Sequence, residues 1–212
     1  MLYFDASHLK DFGRCDYGCV GASKPLLNKI VVLDPGHGGF YTGAVHYGFR
    51  ESDINLSVAL KLRKRLCRLG AKVVMTRTCD VSLVPADSNL EADLQARVEV
   101  AKTSHADIFV SLHVDGAANI RLEGPTSYFP EERSSGLASN IQTCLVNATC
   151  AVDNGVSPAN FYVLVHNDIP AALIEMGYLS NPAEALCLTN NDYQNLIADG
   201  ISEGVVNYFL CL

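Results

Sequence analysis

Ile30-Val31-Val32-Leu33-Asp34-Pro35-Gly36-His37-Gly38-Gly39 is an apolar run that stops in a glycine-rich turn. Two later stretches repeat the arrangement: Ile108-Phe109-Val110-Ser111-Leu112-His113-Val114-Asp115-Gly116 and Ala172-Leu173-Ile174-Glu175-Met176-Gly177-Tyr178-Leu179-Ser180-Asn181. Each reads as a buried strand that ends on a His or a Glu. Such runs, separated by segments of helical period, predict a twisted, mostly parallel (mixed) sheet flanked by helices on both faces. In open α/β sheets the ligand site lies beyond the carboxyl ends of the strands, so His37, His113 and Glu175 are expected to meet there. A fourth candidate, Glu51, opens a long amphipathic helix. Two His and one Glu around an open coordination position, with a second Glu as base, make a hydrolytic zinc site. The residues alone leave open which Glu takes which part.

Outward from these stretches, strands are expected at 30–34, 71–76, 107–112, 161–165 and 171–174, with a short edge strand at 126–129. Leu56, Leu60, Leu66 and Leu69 recur along a helix from about 51 to 69, which Gly70 ends. Leu94, Val98 and Ala101 share a helical face over 90–103, as do Leu137, Ile141 and Leu145 over 134–147. After Pro182, suited to a first helical turn, one helix is expected through about 210. Residues 1–28 show no period and read as an irregular N-terminal arm. The segment 29–212 has no internal repeat or linker and reads as one catalytic domain.

Composition agrees. Apolar residues make up 49% and charged residues 18% of 212 residues, which fits a globular core and excludes a disordered chain. A net charge of −7 argues against nucleic acid or an anionic membrane as the main partner. No apolar stretch approaches the roughly 20 residues of a membrane span. Residues 1–28 lack a basic start followed by an apolar core, so a secretory signal is expected to be absent from this sequence. None of the eight cysteines (Cys15, Cys19, Cys67, Cys79, Cys144, Cys150, Cys187, Cys211) forms a C-x-x-C pair, which disfavours a structural metal knuckle. Cys67, Cys144, Cys187 and Cys211 lie in apolar helical contexts, so mostly buried thiols with zero to two disulfides are expected. Cys15 and Cys19 are close enough to bridge locally, and the pairing stays open.

Each site residue has a plainer reading. His37 would be a loop histidine, and Glu51 a first-turn acid that favours the helix dipole. Glu175 would be a carboxylate paired with Arg77. A phosphate loop around His37 fails because no helix opens after the glycines and no Lys follows to meet a phosphate. Together the four residues form a stronger signal than any one of them.

The chain resembles the bacterial zinc-dependent N-acetylmuramoyl-L-alanine amidases of the type 3 family, which cleave peptidoglycan. The resemblance covers about residues 29 to 208. It rests on Val32-Leu33-Asp34-Pro35-Gly36-His37-Gly38-Gly39, Gly43-Ala44, Glu51 with Asn55-Leu56, Met75-Thr76-Arg77, the run 106–113 and the run 170–181. It implies a twisted mixed sheet and one zinc ion per chain held by His37, Glu51 and His113, with Glu175 as the catalytic carboxylate. It also implies attack on the lactyl carbonyl of N-acetylmuramic acid and release of the stem peptide at L-alanine. Asp34 and Asp115 would orient ligand histidines, or Asp34 would hold its turn. Peptidoglycan or muropeptides would be the substrate, with wall-targeting or division proteins as partners. The enzyme would act in the periplasm or at the cell surface, in wall remodelling or division.

Tyr41, Ser52 and Asp115-Gly116 depart from the usual pattern and imply altered substrate contacts rather than lost catalysis. Between His113 and Glu175 the expected elements leave no room for the plugging helix of some relatives, so an open, constitutively active site is expected. Two rivals differ in class. A non-catalytic wall-binding module would lack one of the four residues. A serine-type, penicillin-sensitive carboxypeptidase activity would use Ser7-His8-Leu9-Lys10, with Lys102-Thr103-Ser104 a loose echo of its second motif.

Overall fold

The structure is a computed structural model that describes residues 24–131, 133 and 135–212. In chain order its elements are β1 (Ile30–Pro35), β2 (Val45–His46), β3 (Phe49–Arg50), α1 (Glu51–Arg68), β4 (Lys72–Met75), α2 (Leu90–Thr103) and β5 (Ile108–Asp115). They continue as β6 (Thr126–Phe129), α3 (Gly136–Thr149), β7 (Val156–Pro158), α4 (Tyr162–Val165), β8 (Ala171–Tyr178), α5 (Pro182–Thr189) and α6 (Asn191–Leu210). Six strands form one sheet in the order β4-β1-β5-β8-β6-β7, while β2 and β3 make a separate hairpin. β4, β1, β5 and β8 run parallel, and β6 is antiparallel to β8. The mixed, mostly parallel sheet expected from the apolar runs is present.

Alternation along the strands divides the core in two. Val31, Leu33, Val110, Leu112, Ala172 and Ile174 point to one face and pack on α1, α3, α5 and α6. Val32, Phe109, Ala171 and Leu173 point to the other and pack on α2 and α4. Both faces are therefore dry. That is why these strands read as unbroken apolar runs instead of alternating ones.

Several elements differ from expectation: β5 and β8 run on to Asp115 and Tyr178, so His113 and Glu175 lie inside their strands rather than ending them, and β2, β3 and β7 are additional. The 161–165 run is a single helical turn, not a strand. Val163 and Leu164 are buried side by side while Phe161 and Val165 stay exposed, a spacing one turn can satisfy and a strand cannot. The C-terminal helix is two helices, because the Asn190 side chain accepts from the N–H groups of Asp192 and Tyr193 and starts α6 afresh. β6 is not an edge strand. β7 pairs outside it and ends at Pro158, which has no N–H to offer a further strand. The end of the expected arm is a turn whose Leu26 is buried and whose N–H donates to Leu69. Residues 1–23, with Cys15, Cys19 and the Ser7–Lys10 motif, lie outside the described residues. The expectation of buried thiols fails. Among the described residues only Cys144 is buried; Cys79, Cys150, Cys187 and Cys211 are exposed free thiols on outer helix faces and turns.

Candidate metal centre

The carboxyl ends of β1, β5 and β8 and the first turn of α1 meet at one place. His37 follows β1 in a left-handed conformation (φ 62°), uncommon for a residue with a side chain. The turn that carries it is narrow. A Cβ on Gly36 would lie 2.2 Å from the His113 ring, so only glycine lets the two histidine segments approach. Gly43, at φ 69°, occupies a similar position, with a virtual Cβ 2.2 Å from Glu51 Oε2. The next N–H, of Ala44, donates to that oxygen at 2.8 Å.

Glu51 Oε1 is the hub. His37 Nε2 lies 3.1 Å from it and His113 Nδ1 2.9 Å. The Val114 N–H donates to it at 3.2 Å, and Asn55 Nδ2 approaches at 3.4 Å. Burial by itself would raise the Glu51 carboxyl, but the hydrogen bonds and charges of His113 and His37 outweigh it and hold the group well below its usual range. One ligand atom from each of His37, Glu51 and His113 can be chosen so that all three lie within 4.8 Å of one another.

Glu175 reaches the same cleft from the adjacent strand, as the register partner of His113. Its carboxyl is raised well above the ordinary value, first by burial and then by the negative charges of Glu51 and Asp115. Three buried side-chain oxygens have no hydrogen-bond partner among the described residues: Glu175 Oε2, Ser52 Oγ and Asn55 Oδ1. Of these, Ser52 and Asn55 follow Glu51 on α1, while Glu175 lines the cleft. A cavity of about 290 Å³ opens beside it, walled by His37, His113 and Glu175 and by Leu94, Tyr162 and Leu173.

All four sequence candidates are brought together. The plainer reading of Glu175 fails, since Arg77 spends its donors on the carbonyls of Pro35, Gly36, Ser52 and Cys79. Asp34 and Asp115 do not orient a histidine ring. The Asp34 carboxylate accepts from Thr76, Ser111 and Arg97, and Asp115 Oδ1 accepts from the Gly116 N–H. Sequence reasoning missed Arg97, which is buried between Asp34 and Asp93 and reaches the His37 carbonyl. The available signal was the Asp93/Arg97 pair at i,i+4 on a helix otherwise facing the core. His37 keeps a 30% exposed side chain, so no described segment seals it.

The family model described as N-acetylmuramoyl-L-alanine amidase matches residues 31–207. A chain from Bacillus subtilis described as uncharacterized protein YqiI is 37% identical over 196 residues, 90% of each chain. The germination-specific N-acetylmuramoyl-L-alanine amidase of Bacillus subtilis is 34% identical over 200 residues, covering 88% of this chain and 82% of that one. Among solved structures, the CwlD amidase of Clostridioides difficile, in complex with the GerS lipoprotein, superposes with a TM-score of 0.83. It is 34% identical over 87% of this chain and all of that one.

Proposed function

The chain belongs to the N-acetylmuramoyl-L-alanine amidase family and is a peptidoglycan amidase, and from that premise we propose that it works as a zinc hydrolase with His37, Glu51 and His113 as ligands and Glu175 as proton carrier. The supporting observation is the convergence on Glu51 Oε1 of two imidazole nitrogens, at 3.1 and 2.9 Å, beside a second carboxylate with an unpartnered oxygen. Two imidazoles and one carboxylate are a donor set suited to zinc, with room left for a further ligand. When bound, zinc would supply Lewis acidity and bring the pKa of a water at the site to about 7.

The chain's own residues account for the rest. The Glu51 carboxylate accepts from the Ala44 and Val114 N–H groups and would carry the negative charge that a divalent cation needs. Glu175, whose proton affinity burial raises, accepts a proton from the water that attacks the lactyl carbonyl. It then returns that proton to the departing nitrogen of L-alanine, and the N-acetylmuramic acid–peptide amide is cleaved. The half-enclosed cleft limits bulk water around that transfer.

The enzyme acts on wall peptidoglycan or muropeptides outside the cytoplasm, in the periplasm or at the cell surface, and serves wall remodelling or division. A wall-targeting partner fits this reading. The exposed His37 supports activity without an activator. Product analysis tests it: peptidoglycan incubated with zinc-loaded protein should release stem peptides with a free L-alanine amine, and chelation should abolish the release. Product that persists with the metal stripped would refute the zinc dependence, and loss of terminal D-alanine instead would move the chemistry to the serine reading.

A further inference from the structure

We propose that Arg77 and Arg97 are positioning residues that preset the metal ligands by gripping the backbone that carries them. The inference rests on the assignment of His37 and Glu51 as ligands. Three successive carbonyls, those of Pro35, Gly36 and His37, bracket the left-handed turn. Pro35 O accepts from Arg77 Nε at 2.8 Å and from Arg97 Nη1 at 3.1 Å. Gly36 O accepts from Arg77 Nη2 at 3.0 Å and from Asn55 Nδ2 at 3.1 Å. His37 O accepts from Arg97 Nη2 at 3.0 Å. Both arginines are 3% exposed or less.

The two arginines are held differently. Arg97 is neutralised, with Asp34 and Asp93 each at 2.8 Å, and Asp93 in turn accepts from Leu83 N–H and Ser82 Oγ. It ties the His37 carbonyl to β1 and α2. Arg77 has no carboxylate within ion-pair distance among the described residues, although its charge is buried. A buried cation that settles for carbonyl oxygens is unusual unless the carbonyls themselves must be fixed. Besides the His37 turn, Arg77 Nη2 holds the Ser52 carbonyl at 2.8 Å, one residue beyond Glu51. A single planar fork therefore sets the separation of two ligand segments, a task suited to arginine and not to the single ammonium of lysine.

Arg77→Lys and Arg97→Lys test this with three readouts: zinc affinity by competition with a chromogenic chelator, the visible spectrum of the cobalt-substituted protein, and kcat with KM. The expected result for either folded variant is zinc affinity at least 10-fold weaker, a changed cobalt spectrum, a lower kcat and a nearly unchanged KM. A folded variant with wild-type zinc affinity and spectrum would overturn the proposal. Should neither variant fold, amide exchange of the metal-free wild type decides. Slow exchange across 34–41 before zinc is added supports a preset turn, and protection that appears only with zinc overturns it. Wild-type protein that binds no zinc would defeat the ligand assignment, while wild type that binds zinc but releases no stem peptide would leave the grip intact and defeat only the assigned chemistry.

Discussion

Asp34 is sealed from solvent, and burial alone would push its carboxyl upward. Arg97, then the hydroxyls of Thr76 and Ser111, outweigh that penalty and hold it below its ordinary value of 3.8. A depressed folded value means that the stabilisation is complete above the unfolded value and is lost as pH falls through the folded one. Unfolding free energy should therefore decline below about pH 4. In Asp34→Asn that acid-side slope should flatten, with a cost of about 2 kcal/mol at neutral pH because Arg97 keeps Asp93 but loses its second carboxylate. Denaturant melts of both proteins across pH 2–7 would check the pair of effects, and an unchanged slope would remove Asp34 from the account. Glu175 carries the opposite shift, and its buried Oε2 has no hydrogen-bond partner among the described residues. Glu175→Gln keeps the shape and removes the proton acceptor of the proposed mechanism. Hydrolysis should fall by about 10²–10⁴-fold while bound zinc, counted by metal analysis, stays at the wild-type level. Full activity in that variant would end the assigned role.

Helices α3 and α6 cross with almost no side-chain spacer. A Cβ on Gly204 would lie 2.5 Å from Ile141 Cα, and one on Gly200 would lie 2.7 Å from Leu145 Cα. Two glycines in a helix interior look like weaknesses in sequence; here they are the contact surface. Gly204→Ala should lower the unfolding free energy by about 1–3 kcal/mol through overpacking, despite the better helix propensity of alanine. A gain in thermal midpoint would show that the helices can move apart. Other element-scale surprises share a cause. Whether the 161–165 run forms a strand or one helical turn depends on which neighbours bury Val163 and Leu164, and five apolar residues carry no period long enough to decide it. Asn190 starts a helix by capping, a local event, yet after Pro182 the helical pattern reads straight through it.

The strand order places the cleft. From β1 the chain moves outward to β4, then returns to add β5 on the other side of β1. His37 follows β1 and His113 lies near the carboxyl end of β5, so the two histidines flank the point where the order reverses, where open sheets leave a crevice. The hub at Glu51 then predicts that metal ties β1, β5 and α1 together. Zinc at about 100 times its Kd should add about 2.7 kcal/mol to stability, or roughly 5–10 °C in thermal midpoint. His113→Ala should abolish the shift, and an equal shift in that variant would place the metal elsewhere. The sequence by itself determined the parallel sheet and the four candidate residues. Both are written in local terms: unbroken apolar runs for strands buried on two faces, three polar residues set in or just after such runs, and an acid, Glu51, at a helix start. The tertiary structure alone decided that Glu51 Oε1 is where both imidazoles meet and that Glu175 sits beside His113 in register. It alone decided that Arg77 and Arg97 face the carbonyls around His37. Those are relations between segments far apart in the chain, set by strand order and packing, and no local pattern of residues encodes a distance across a sheet.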